Sequence, residues 1–155
     1  MRRDFPQGAP TRRYSAGFSL LEAMIVVAIL GVLYTFVSPG YQQHLLRSNR
    51  TEGHALLVDA AARQERHYAQ HNRYITAQAA IGELRLRDTQ GEHVTSRSGL
   101  YRLLVEPGTQ GNGGYLLTAV PLGAQRSDSA CGSLYLDGNG TNGSTGTGSV
   151  IECWK

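Results

Sequence analysis

Two features of this chain could do chemistry through their spacing. One is a carboxylate, Glu22, set five residues into the apolar run FSLLEAMIVVAILGVLYTFV (18–37). The other is the Gly17–Phe18 junction where that run begins. The run is about as long as a bilayer core requires and carries one charge. An acid inside such a segment costs roughly 2.5–3.5 kcal/mol on insertion scales, so the position calls for a counter-charge. A cut between Gly17 and Phe18 would create an amine one helical turn before Glu22. Glu22 could then meet the amine of a neighbouring copy when helices stack side by side. The preceding residues hold Arg2, Arg3, Arg12 and Arg13 against a single acid, Asp4. A basic flank of this kind stays on the cytoplasmic side. A secretory signal would be cut after its apolar core, but Ser38-Pro39-Gly40-Tyr41 offers no such site. The expected cut therefore precedes the run and leaves it in the mature chain. An ordinary single-pass anchor is the plainer alternative, and it leaves the Gly–Phe–Glu spacing unexplained.

Other reactive side chains are weaker candidates. Cys131 and Cys153 are the two cysteines, and an even, small count in an exported chain suggests one disulfide. Asp137-Gly-Asn-Gly-Thr141 begins like a calcium loop, but the sixth and twelfth positions hold Asn142 and Gly148 where glycine and glutamate are needed. A turn with Asx hydrogen bonds is the expectation. His67 and His71, four apart, could meet on one helix face. A metal would want a third ligand and Glu65 faces elsewhere, so a solvated face is expected. No GxSxG, HExxH, P-loop or CxxC pattern occurs, so no enzyme activity and no cofactor is expected. Tyr101, Tyr115, Tyr135 and Trp154 fall on expected strands and read as sheet packing rather than a ligand platform.

The chain has 15 Lys+Arg and 12 Asp+Glu, a formal +3. Removing residues 1–17 leaves eleven of each, so the high pI belongs to the leader. Net charge lends no support to nucleic-acid binding. A local stripe through Arg85, Arg87, Arg97 and Arg102 keeps that partner open.

These groups must be held by a small set of elements. Pro39 and Gly31 weaken or bend the first helix without ending it. Helical residues resume at Tyr41 and run to about Asn72, with Leu45, Leu57, Ala61, Gln64 and Tyr68 at imperfect 3–4 spacing. Residues 73–97 read as a surface connection with a short helix near 77–84. Strands are expected at 100–106, 115–120, 133–136 and 150–154, with turns at the Pro107–Gly114 cluster and a glycine-rich loop over 137–149. The class is α+β, one long N-terminal helix on an antiparallel sheet of three to four strands.

The segment GFSLLEAMIVVAILGVL resembles the processing motif of type IV prepilins. Further segments resemble minor pilins of the PilE and ComP-like group: 49–74, 115–128, CGSLYLDGNG and the final ECW. Residues 75–99 match no pattern. The resemblance implies the type IV pilin fold with a disulfide-bounded C-terminal loop closed by Cys131 and Cys153. It implies a prepilin leader over 1–17, removed by a prepilin peptidase after Gly17, with N-methylation of Phe18. It further implies Glu22 as the filament-assembly residue, Gly31 and Pro39 as helix bends, a transmembrane and assembly helix over 18–40, and a globular head over 41–155. The expected function is a structural subunit of a type IV pilus (fimbrium) that supports twitching motility and cell adhesion. Its expected partners are other pilin subunits and the inner-membrane pilus assembly machinery. Localisation would be the inner membrane before assembly and the bacterial cell surface after it. The rival readings are a DNA-binding pilus receptor and a type II secretion pseudopilin. The second is disfavoured by the implied bridge, which major pseudopilins generally lack, using a calcium site instead.

Overall fold

The computed structural model describes residues 18–109 and 113–155, and for 35–40 it describes the backbone alone. Gly17 and the leader lie outside the described residues. The chain divides into two compact units between Pro39 and Gly40. Helix α1, Leu20–His71, contributes residues to both.

In the first unit every described side chain from Phe18 to Tyr34 is exposed, with Phe18 at 87%, Leu20 at 79% and Met24 at 66%. A helix apolar on all sides is built to be covered by something other than water. Helical backbone continues through Gly31 and Pro39. Among the described residues no helix is long and apolar enough to cross a membrane. Described side chains end at Tyr34, short of the about 20 residues a span needs, and the sequence run continues to Val37.

In the second unit the rest of α1 packs on a six-stranded antiparallel sheet whose strands follow chain order. They are β1 Thr89–Gln90, β2 His93–Thr95, β3 Tyr101–Pro107, β4 Tyr115–Pro121, β5 Leu134–Asp137 and β6 Asn142–Ser144. Strands β3 and β4 pair over seven residues, from Tyr101↔Pro121 to Pro107↔Tyr115. Their alternate residues Tyr101, Leu103 and Val105, and Tyr115, Leu117 and Ala119, face inward, as a half-buried sheet dictates. They meet Leu56, Leu57 and Ala60 of α1. The expected stripe is partly right. Leu57 and Gln64 are buried, whereas Leu45 and Tyr68 are each 41% exposed. Gly53 sets the closest approach: a Cβ there would lie 3.0 Å from Leu134 Cδ1 and 3.2 Å from the Tyr101 ring. Its helix cost of about 1 kcal/mol is thus tied to packing.

Helix α1 ends at His71, and the next residue, Asn72, has a φ of 53°, the left-handed cap conformation. A 3-10 helix follows over Gln78–Leu84, where a short helix was expected. The rest of 73–97 is no loose connection. Gln78 stitches it to the sheet, accepting from Val105 N at 2.9 Å and donating to Glu92 O at 2.7 Å. Glu52 of α1 binds Ser96 Oγ at 2.8 Å and Ser98 N at 3.1 Å, which anchors the β2–β3 turn. Two further corrections concern the C-terminus. Strand β6 lies inside the expected glycine-rich loop. Residues Val150–Cys153 form a short helix, α2, rather than a strand. Ser149 Oγ accepts from Glu152 N at 3.3 Å, an N-cap that outweighs the β-branched preference of Val150 and Ile151.

Candidate functional site

Glu22 sits in the first turn of α1, where Ser19 O accepts from Ala23 N at 3.1 Å. The aligned peptide dipoles at this end favour a negative charge. Phe18 lies just before the helix, one turn from Glu22. Among the described residues Glu22 has no ion pair, and its surroundings are the exposed apolar side chains of the same helix. A carboxylate so placed can recruit a cation brought by another molecule as the apolar surface is covered.

The C-terminal region is closed by the Cys131–Cys153 disulfide, as the sequence implied. It is strapped to α1 from two directions. His54 Nε2 donates to Cys153 O at 2.8 Å, and the His54 ring stacks on Trp154 at 4.6 Å. Burial foremost holds the His54 imidazole below its ordinary range. Trp154 Nε1 donates to Gly143 O at 2.9 Å, which ties the chain end to β6. Behind the strap Arg50 forms a two-point pair with Asp128, Nε to Oδ2 at 2.7 Å and Nη2 to Oδ1 at 2.8 Å. Hydrogen bonding to Asp128 is the main reason the Arg50 guanidinium is held above its usual range. Gln125 Nε2 reaches Tyr101 Oη at 3.0 Å, Leu46 O at 3.1 Å and Asp128 at 3.3 Å. Burial pushes the Tyr101 phenol up to about 12. No single-residue signal in the sequence marks this network, because Arg50 and Asp128 are 78 positions apart.

The Asp137 turn behaves as expected. Asp137 Oδ1 accepts from Asn139 N at 3.0 Å and from Thr141 N at 2.8 Å, an Asx turn. The histidines meet on one helix face, stacked at 4.2 Å, and His71 is exposed as expected. His67 differs from expectation, being 6% exposed rather than solvated. The carboxylate beside it is Glu83, at 3.3 Å, while Glu65 binds the hydroxyls of Tyr74 and Tyr115. No group of three or more His, Cys, Asp or Glu able to hold a metal occurs among the described residues. Tyr101 and Tyr115 are core residues. Tyr135 is half-buried on β5, and Trp154 follows α2 rather than lying on a strand.

The arginines proposed from sequence do not form one patch. Arg87 and Arg97 line a groove of about 560 Å³ together with Arg63, Glu52, Asp59 and Asp88. Arg85 lines a separate cleft of about 320 Å³. Arg102 is half-buried on β3, with a buried Nε that has no hydrogen-bond partner among the described residues.

The first unit thus carries an exposed apolar helix with one acid, and the second a helix on an antiparallel sheet with a disulfide-closed C-terminus. The family described as "Type IV minor pilin ComP, DNA uptake sequence receptor" matches residues 39–135, and the "Prokaryotic N-terminal methylation motif" matches residues 12–37. The chain belongs to the type IV pilin family, in its ComP-like minor pilin group. It is 36% identical over 77 residues to the type IV wide pilus major component PilA4 of Thermus thermophilus, covering 50% of this chain and 59% of that one. It is 30% identical over 80 residues to a fimbrial protein of Neisseria meningitidis, covering 52% and 47%. The chain thus spans about half the length of the curated relatives it matches. A solved type IV pilin from Shewanella oneidensis is 28% identical, with a TM-score of 0.43 and coverage of 63% of this chain and 89% of that one.

Proposed function

We propose that this chain is a non-enzymatic minor pilin that is held in the inner membrane, trimmed after Gly17, methylated at Phe18 and packed into a type IV pilus through its N-terminal helix. The observation that carries this reading is the wholly exposed apolar surface from Phe18 to Tyr34 with one carboxylate set in it. Water is a poor environment for that surface, and helix-to-helix packing in a fibre covers it. Glu22 then pairs with the Phe18 amine of a neighbouring copy. Prepilin peptidase and the inner-membrane assembly machinery are the partners this route requires. Gly31 and Pro39, as weak points in the helix ladder, let the segment adjust between bilayer and fibre. The match of the methylation motif to residues 12–37 supports the processing step. Removing one member of a buried ion pair costs about 3–5 kcal/mol, so Glu22→Ala is expected to be cleaved and retained in the membrane yet largely missing from sheared pili. Recovery of the variant in pili at the wild-type level would refute the pairing.

A second reading, a surface receptor for DNA, is favoured by the family description over residues 39–135 and by the groove that holds Arg87 and Arg97. Its phosphate contacts would be salt-sensitive. In gel shifts of the full chain in detergent with a DNA duplex, binding should weaken steeply as salt rises. Arg87→Ala with Arg97→Ala should lower the salt slope by about 2. Binding that neither salt nor these substitutions change would discard the groove as a DNA contact.

A further inference from the structure

We propose that the cleft between α1 and the first 3-10 helix binds a phosphate monoester or free phosphate, held by Arg66 and Arg85. This goes beyond both readings above, since neither fibre packing nor a groove at Arg87 and Arg97 uses this cleft. Its volume of about 320 Å³ is at the small end for ligand sites, and suits a compact anion. Two elements of the second unit supply the lining. Arg63, Arg66, His67 and His71 come from α1, and Glu83 and Arg85 from the end of the 3-10 helix and its cap.

The charges on that lining are not equivalent. Glu83 is its one carboxylate and is already engaged, with Oε2 3.3 Å from His67 Nε2 and 3.4 Å from Arg73 Nη2. Arg63 is engaged too. Its Nε donates to Asp59 Oδ1 at 3.1 Å, and its Nη1 to Leu84 O at 3.3 Å and to Arg85 O. Two guanidiniums, Arg66 and Arg85, remain without a partner among the described residues while lining the same concavity. Paired cations in a recess concentrate positive potential. The planar guanidinium fork matches two phosphate oxygens at once. A dianionic monoester balances both charges, which a single diester phosphate does not.

The backbone supplies an independent observation. Arg85 caps the 3-10 helix at φ 51° and ψ 43°, donating its N–H to Gly82 O at 3.0 Å. The left-handed conformation costs a side-chain-bearing residue about 1–2 kcal/mol, and glycine is the usual occupant of such a cap. An arginine stands here in spite of that cost, with its carbonyl pinned by Arg63. Non-glycine residues held this way concentrate at binding sites.

The strain separates binding from folding in the test. Arg85→Gly removes the cation and relieves the backbone, so its Tm without ligand should equal or exceed that of the parent chain. Full-length protein in detergent would be titrated with inorganic phosphate and with pyrophosphate at constant ionic strength, by calorimetry and by thermal melting. The parent chain should gain Tm with either anion, as a ligand selective for the folded state requires. Arg85→Gly and Arg66→Gln should each weaken binding at least tenfold, on the order of the loss of one charge-assisted pair. An equal Tm gain in Arg85→Gly, or the same gain from chloride at matched ionic strength, would overturn the site. A blunt DNA duplex without terminal phosphates serves as the diester arm. If it displaces pyrophosphate at matched phosphate concentration, the cleft belongs to backbone phosphates and the monoester assignment falls.

Discussion

Replacing Asp128 by alanine is expected to destabilise the 40–155 unit by about 3–5 kcal/mol, the cost of stranding a buried charge. Arg50 and Asp128 are 8% and 3% exposed, so neither can recruit enough water to replace its partner. The substitution removes more than one bond. Asp128 also accepts from Gln125 Nε2 at 3.3 Å and from Cys131 N at 3.4 Å. Gln125 in turn holds Tyr101 Oη and Leu46 O, and it accepts from Asn49 Nδ2 at 3.1 Å. Helix α1, the sheet and the 3-10 helix over Gly123–Ser127 therefore loosen together. Thermal melting of the full chain in detergent, followed by Trp154 fluorescence, should report the loss. The double change Arg50→Met with Asp128→Leu should recover much of it, because a well-packed apolar pair is often no worse than the ion pair it replaces. A single substitution that shifts the melt by less than about 1 kcal/mol would mean that the pair is solvated in solution.

The second large effect is expected at the disulfide. Changing Cys131 and Cys153 together to serine releases a loop of sequence separation 22, worth about 3 kcal/mol in the chain-entropy model. The loss should be local before it is global. The bridged segment carries β6 and α2, both short, and the strap to α1 consists of the His54 contacts with Cys153 O and Trp154. Amide exchange in the serine variant should quicken first over residues 138–155, while β3 and β4, paired over seven residues, keep their protection. Uniform acceleration across both strands and the C-terminus would show that the bridge supports the whole unit rather than its last segment.

Local signals carried much of this protein. A twenty-residue apolar run with Glu22 inside it, helix formers stopping near Asn72, and three strands of strong β propensity were legible because each is a periodic pattern within a few turns or residues. The four-stranded limit failed for a physical reason. Strands β1, β2 and β6 have two or three residues, too few to show a period of two. They exist because a neighbouring edge offers hydrogen bonds. The α2 helix had a readable cue in Ser149-Val-Ile-Glu152, a capping-box spacing, hidden by two β-branched residues.

The chain order alone therefore determined the helix that exposes its apolar end, the acid within it, the principal strands and the two cysteines available to pair. Tertiary structure decided which distant side chains come together: Arg50 with Asp128, His67 with Glu83, and Arg66 and Arg85 as lining of one cleft. Those meetings depend on how α1 packs on the elements beside it, as at Gly53 against Leu134 and Tyr101. Spacing along the chain carries no trace of them.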